Sequence, residues 1–237
     1  DEATSRHLLT RGRDGQKDQS YFLFDLEQDQ LRDIVFPLGD LTKKSVRALA
    51  AEIGLPVADK EESQEICFVP DGDYARFIDQ AIADHPGDAT ARPGAIVLMD
   101  GTEVGRHDGI HRFTIGQRRG LGVALGYPAY VIGIRRDRNE VVVGRAEEIL
   151  ARRFFITRCN WVAIPSLEEA IEADVKIRSR FRPAQATIRP TGNGGAEVAF
   201  REPQPSITPG QAAVFYWEDV VVGGGWIYRV ETENGAH

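Results

Sequence analysis

Cysteine is scarce: 237 residues hold only Cys67 and Cys159. Two thiols exclude a disulfide scaffold, and a cysteine-rich zinc site would lack its ligands, so any cysteine chemistry is catalytic. Long apolar runs are missing too. None approaches the roughly 20 residues a membrane helix needs, which excludes a transmembrane reading. The first residues, Asp1-Glu2-Ala3-Thr4-Ser5-Arg6-His7, have no apolar core of the secretory kind, and a cytoplasmic protein is expected. An excess of positive charge is also absent. The formal net charge of -7 argues against a uniformly basic nucleic-acid coat and leaves the question to local pattern.

What is present describes a folded chain. A hydrophobic fraction of 42%, with three Trp, six Tyr and eleven Phe, suffices for a real core and one to two domains. Residues 1 to about 72 read as helix and loop. Thr42 is placed to cap a helix from Lys43 to Ile53, with Val46, Leu49, Ala50 and Ile53 at helical spacing; Gly54 and Pro56 form its stop signal. This part holds sixteen acids against nine Lys and Arg up to Asp73, so most of it is a poor surface for RNA. A second helix is expected near Gly72 to Ala83, on Tyr74, Phe77, Ile78 and Ala81.

From Pro93 the texture turns to short β-rich runs, Ala95 to Met99, Tyr130 to Ile134 and Glu140 to Val143, separated by Asp100-Gly101 and Asp137-Arg138-Asn139. After a polar stretch from Gly144 to Arg152, strands are expected near Val175 to Phe181, Ala184 to Arg189, Glu197 to Phe200, Ala212 to Tyr216 and Val220 to Val230, a spacing that suits a small barrel or sandwich. The expected organisation is residues 1–72, 73–152 and 153–237, without internal repeats.

Two segments are basic. In Lys176-Ile177-Arg178-Ser179-Arg180-Phe181-Arg182 a strand would set Val175, Ile177 and Phe181 on one side and Lys176, Arg178, Arg180 and Arg182 on the other. Alternate strand residues stand roughly 6.5 Å apart, close to the spacing of successive phosphates. Such a stripe could grip a nucleic-acid backbone, or equally guard an edge strand against aggregation. The second segment, Gly105 to Gly122, holds four Arg and two His against one acid, with glycines that permit close backbone approach. It has neither a Gly-Lys-Ser/Thr ending nor Gly-x-Gly-x-x-Gly spacing. His107 and His111 could share a helical face, yet no third ligand lies nearby, and no metal site is expected.

Cys67 sits in Ser63-Gln64-Glu65-Ile66-Cys67-Phe68, where a polar run meets an apolar one. A buried structural thiol and a reactive one both remain open; nearby acids would raise its pKa. Cys159 reads as a core residue.

The blocks Lys17-Asp18-Gln19-Ser20-Tyr21-Phe22-Leu23, Phe36-Pro37-Leu38-Gly39, Ser63 to Phe68, Phe113-Thr114-Ile115-Gly116-Gln117-Arg118-Arg119-Gly120-Leu121-Gly122, Pro209-Gly210-Gln211-Ala212-Ala213-Val214-Phe215-Tyr216 and Gly223-Gly224-Gly225 resemble those of the bacterial tRNA-specific 2-thiouridylases, in the same order. The resemblance implies an α+β multidomain chain: the end of an α/β ATP-pyrophosphatase domain, a β-rich central module and a C-terminal β-barrel. It also implies a sulfurtransferase that adenylates the C2 oxygen of the wobble uridine in tRNA and replaces it with sulfur from a cysteine persulfide, using ATP, Mg2+ and a sulfur-donor protein. Cys67 matches the persulfide cysteine; whether it pairs transiently with another cysteine of the family stays open. Lys17, Asp18 and Gln19 match a tRNA-contacting tripeptide, Arg180 and Phe181 a second contact and Gln211 a third. Arg178, Arg182, Arg112 and Arg118 are added from charge pattern as phosphate contacts. Phe181 could stack on a base, but the alternation favours the core.

The family's Ser-Gly-Gly-x-Asp-Ser phosphate loop and first catalytic cysteine do not occur in these residues, so the chain alone is expected neither to bind ATP nor to transfer sulfur. A non-catalytic RNA-binding module with a structural Cys67, or basic patches that are merely solvated surface, are the competing readings. No glycine-rich turn argues for a methyl-donor site, which predicts thiolation and not methylation.

Overall fold

In the computed structural model the described residues are 4–58, 60, 92–232 and 235–236. Cys67 and the helix expected near Gly72 to Ala83 lie outside them.

Among the described residues of the amino-terminal part are three helices: α1 (Ser20–Leu23), α2 (Gln28–Asp33) and α3 (Lys43–Glu52). Thr42 caps α3 as its sequence predicts, its hydroxyl oxygen accepting from the Ser45 amide at 3.2 Å. The apolar spacing of α3 makes the helix but not a core contact, since none of its residues is buried against the described residues.

The central module is a four-stranded sheet in the order β2-β1-β4-β3, built from β1 (Gly94–Val97), β2 (Glu103–His107), β3 (Tyr130–Arg135) and β4 (Glu140–Gly144). Both expected turns join hairpins: Thr102 donates to Asp100 Oδ1 between β1 and β2, and Asn139 takes φ +54° between β3 and β4. Successive residues of β1 face opposite sides. Ile96 packs with Val131, Val141 and Leu121, and Val97 with Ile132 and Val142. His107 ends β2 and His111 lies in a 3-10 turn, Ile110–Arg112, so the two do not share the helical face their spacing allowed. His107 is buried: Nδ1 accepts from the Gly109 amide at 3.1 Å and Nε2 lies 3.1 Å from the Asn139 carbonyl. Burial lowers its pKa from the usual value.

The C-terminal part closes into a barrel. Its strands are β5 (Leu150–Trp161), β6 (Ile171–Lys176), β7 (Ala184–Pro190), β8 (Ala196–Pro205), β9 (Ala212–Trp217) and β10 (Val220–Thr232). The order is β10-β5-β8-β7-β6-β9, and β9 pairs back onto β10, leaving no open edge within this ring. A short β11 (Gly235–Ala236) pairs antiparallel with the end of β10. The stretch read as polar, Gly144 to Arg152, contains a 3-10 turn and the first residues of β5.

Inside the barrel lie Phe154, Ile156, Val175, Val198, Phe200 and Phe215. Across β9 the alternate residues Val214 and Tyr216 face outward, yet they too are fully buried. The amino-terminal part covers them: Leu9, Tyr21, Phe24 and Leu31 pack on Val214, Tyr216 and Val221. Backbone bonds fix the attachment, from Val221 N to Leu9 O at 2.9 Å and from Arg11 N to Asp219 O at 2.8 Å. Gly224 permits it, because a Cβ there would stand 2.6 Å from the Phe24 ring.

Candidate nucleic-acid interface

Residues 17–19 form the turn that leads into α1. The Lys17 amide donates to Asp14 O at 2.9 Å, and Gln19 O accepts from the amides of Phe22 and Leu23. Lys17 and Gln19 are exposed. Asp18 turns inward: Oδ1 accepts from the amides of Gly12 (3.2 Å) and Ser20 (3.0 Å), and Oδ2 from the Ser20 hydroxyl (2.9 Å).

This turn borders a cavity of about 550 Å³, roofed by the Phe36-Pro37-Leu38-Gly39 segment and closed by the start of α3. Its lining mixes Arg11, Lys17 and Lys43 with Asp14, Asp18 and Asp40. Asp14 Oδ2 accepts from the Lys43 amide at 2.8 Å, which lowers its pKa. Phe22, 61% exposed, stands edge-on to Tyr21 at 5.3 Å, offering a free aromatic face beside the turn.

The basic segment of the barrel departs from the expected stripe. β6 ends at Lys176, and the Phe181 amide donates to Arg178 O at 3.0 Å to close a turn before Pro183. Ile177 keeps the inward parity of Val175, but the chain bends there and turns at residues 178–181, and Pro183 has no N–H with which to resume a ladder. Lys176, Arg178, Arg180 and Arg182 therefore do not share a face. Lys176 does point out of the barrel, but α1 lies over it; only 9% is exposed and its ammonium stands 5.8 Å from the Tyr21 ring centre. Arg178 is half-buried, donates to Pro205 O at 3.2 Å and lies 5.6 Å over Phe181, which packs against the barrel core. Arg180 and Arg182 are exposed.

Gln211 immediately precedes β9, next to Ala212, whose carbonyl accepts from the Tyr21 hydroxyl at 2.9 Å. Its buried Oε1 has no hydrogen-bond partner. Thus Lys17, Asp18, Gln19, Lys176 and the β9 start meet around α1. The exposed Arg112 and Arg118 belong to the central module. There the Gln117 side chain folds its own loop, accepting from Thr114 N and donating to Arg119 O. Cys159 is half-buried against the barrel core, and burial pushes its thiol up to about 11.

Sequence reasoning missed Arg11, Ser20 and Tyr216. Arg11 lies 4.0 Å over the Tyr216 ring, and the Ser20 hydroxyl stands 3.3 Å from Tyr216 Oη. No local pattern signals these contacts, since they join residues about 200 positions apart.

Three family models match the chain in succession: a tRNA methyl transferase HUP domain over residues 1–71, a tRNA methyl transferase PRC-barrel domain over 77–145, and an aminomethyltransferase beta-barrel domain over 151–227. A tRNA-specific 2-thiouridylase MnmA of Geobacter metallireducens is 52% identical over 96% of the chain. The chain belongs to the tRNA-specific 2-thiouridylase family. Other family members include proteins of the same name from Koribacter versatilis, 48% identical over 94% of the chain, and Geotalea uraniireducens, 50% identical over 98%. The chain spans about 60% of the length of these relatives, with 60% of the first two and 61% of the third covered. The three models carry transferase names of the methyl kind and the relatives a thiolation name. The α+β multidomain architecture agrees with the models: a HUP fragment with helices, a small central sheet and a closed barrel. Among the described residues no helix is long and apolar enough to cross a membrane.

Proposed function

We propose that this chain is the tRNA-binding and persulfide-bearing part of a tRNA 2-thiouridylase. The reaction joins AMP to C2–O of the wobble uridine with loss of pyrophosphate. The outer sulfur of a Cys67 persulfide, loaded by a sulfur-donor protein, then attacks C2, and the oxygen leaves with AMP. A second thiol takes Cys67 Sγ into a disulfide as the S–S bond breaks. The supporting observation is the identity of 52% along 96% of the chain with a relative named for this activity. The geometry agrees with it: an exposed Lys17 and Gln19 project from a turn anchored on the barrel, beside an exposed aromatic ring and a cavity. Lys17, Gln19, Arg180, Arg182, Arg112 and Arg118 meet the tRNA, most of them through phosphates. Gln211, half-buried just before β9, is a further polar contact. Residues 1–72, 73–152 and 153–237 act as the catalytic-domain end, the central module and the tRNA-binding barrel.

ATP and Mg2+ supply the activation of the base in this reaction, but the residues here do not fit them. The start of α3 is the helix terminus at the cavity, and two of its amides are taken: Lys43 N donates to the Asp14 carboxylate, which would repel a phosphate, and Ser45 N to Thr42. No Ser-Gly-Gly-x-Asp-Ser loop occurs in the 237 residues. No step of nucleotide chemistry is therefore assigned to this chain, which by itself neither binds ATP nor transfers sulfur.

Filter binding of unmodified tRNA over a salt series tests the nucleic-acid part. The expected result is retention that weakens with salt, the slope of log K falling by about 0.7–0.9 per phosphate contact removed. No retention at low salt, with the Arg178→Ala/Arg180→Ala/Arg182→Ala variant indistinguishable, would mark the basic residues as solvated surface. Incorporation of methyl groups, in place of sulfur, into tRNA by an enzyme carrying this chain would overturn the thiolation reading.

A further inference from the structure

The turn proposed to contact tRNA stands on a polar cluster that no part of the mechanism uses. Asp18 spends both carboxylate oxygens on Gly12, Ser20 N and Ser20 Oγ. Ser20 is 2% exposed, and its hydroxyl reaches Tyr216 Oη on β9. Lys176 lies in the field of Asp18 as an attraction and of Arg11 as a repulsion. Arg11, in turn, rests its guanidinium on the Tyr216 ring while Nε and Nη2 stay buried without a hydrogen-bond partner. Two cations thus rest on the Tyr216 and Tyr21 rings beside the Asp18–Ser20–Tyr216 chain beneath residues 17–19.

Two features set the roles of these groups. A carboxylate turned toward a polyanion would repel it, whereas Asp18 is held inward by three hydrogen bonds from its own chain. A lysine that neutralises a phosphate must reach it, whereas Lys176 is 9% exposed beneath Tyr21. Both residues belong to segments expected to touch RNA, and both face the protein.

Resting on the reading that this turn contacts tRNA, we propose that Asp18, Lys176 and Tyr216 are positioning residues: they touch no RNA and clamp the 17–19 turn to the barrel, so that Lys17 and Gln19 face outward in a fixed pose. The clamp joins the first family segment to the last across more than 150 residues of sequence. It makes the tRNA surface of the helical part depend on the barrel.

A positioning residue and a contacting one differ in salt dependence. tRNA affinity of the 237-residue chain is measured over a salt series for Lys17→Ala, Asp18→Asn, Lys176→Met and the Asp18→Asn/Lys176→Met pair. Lys17→Ala should flatten the salt slope by about 0.7–0.9. Lys176→Met and Asp18→Asn should each weaken binding about 3- to 10-fold at every salt with the slope unchanged, and the pair should lose no more than the worse single variant. A flattened slope in Lys176→Met, or losses that multiply in the pair, would overturn the clamp. A second measurement reads the network without RNA: in thermal unfolding the two single variants should lower the midpoint and the pair should fall short of their sum, while additive shifts would overturn the proposal. If the unaltered chain retains no tRNA even at low salt, the function reading fails, and the melting cycle alone decides whether the clamp exists.

Discussion

Gly116 lies within the Phe113–Gly122 block and bears directly on how the central module meets the barrel. It takes φ +87°, and a Cβ added there would stand 2.2 Å from Ser206 Oγ and 3.0 Å from Ser206 Cβ. Ser206 is 5% exposed and anchored by its amide to Ile149 O at 3.0 Å, so it cannot swing away freely. Gly122, six residues on, has φ +69° with nothing within 4 Å of the added atom. Gly122→Ala therefore isolates the backbone cost, about 1–2 kcal/mol for a left-handed residue with a side chain. Gly116→Ala carries that cost plus about 1–3 kcal/mol of overpacking. At roughly 2–4 °C per kcal/mol for a chain of this size, thermal unfolding should separate the two by several degrees. Ser206 itself takes φ +56°, so Ser206→Gly alone is the reference: against it, the double variant Gly116→Ala/Ser206→Gly, free of the close atoms, should show the same further loss as Gly122→Ala. If Gly116→Ala melts within error of Gly122→Ala, or if Ser206→Gly gives no relief, the packing of this loop on the barrel is not what the geometry implies.

Three other outcomes follow from the same structure. Burial raises Tyr21 and Tyr216 to about 12, so a phenolate absorbance titration should show a late-ionising component that Tyr21→Phe and Tyr216→Phe each reduce by one tyrosine. Because their folded pKa lies above the free value of 10, the stability they lend is whole below pH 10 and is lost as pH rises from 10 through about 12. For His107 the folded pKa lies below 6.5, so the unfolded chain binds the extra proton first; urea midpoints should fall as pH drops below about 6.5, and less so in His107→Gln. Arg180→Ala should flatten the salt slope of tRNA binding by about one phosphate contact, whereas Arg178→Ala, whose guanidinium is engaged by Pro205 O, should lower the melting midpoint more than the slope.

Much of the architecture was legible locally. Thr42 and Gly54 bounded α3 because cap chemistry acts within one turn, and Asp100-Gly101 and Asp137-Arg138-Asn139 marked hairpins because turn residues carry their own φ preferences. The continuous apolar run of β9 identified a strand, although nothing local revealed that its outer face lies under α1. β5 was not expected anywhere along its length, because Arg152, Arg153, Arg158 and Asn160 interrupt its apolar pattern. The stripe Lys176 to Arg182 misled for a physical reason: charge alternation gives the parity of side chains but not where the strand stops, nor which of its faces another segment covers. Of the candidate site, Lys17, Asp18, Gln19 and Gln211 were reached through resemblance, while the inward turn of Asp18 and the role of Tyr216 required the long-range contacts.

The most direct measurement follows labelled sulfur onto tRNA. A chimera joins this chain to the remaining length of the Geobacter metallireducens relative and is supplied with ATP, Mg2+, tRNA and a desulfurase with labelled cysteine. The account predicts labelled tRNA from the chimera and from its Cys159→Ser variant, and none from Cys67→Ser. Undiminished label on tRNA with Cys67→Ser would contradict it.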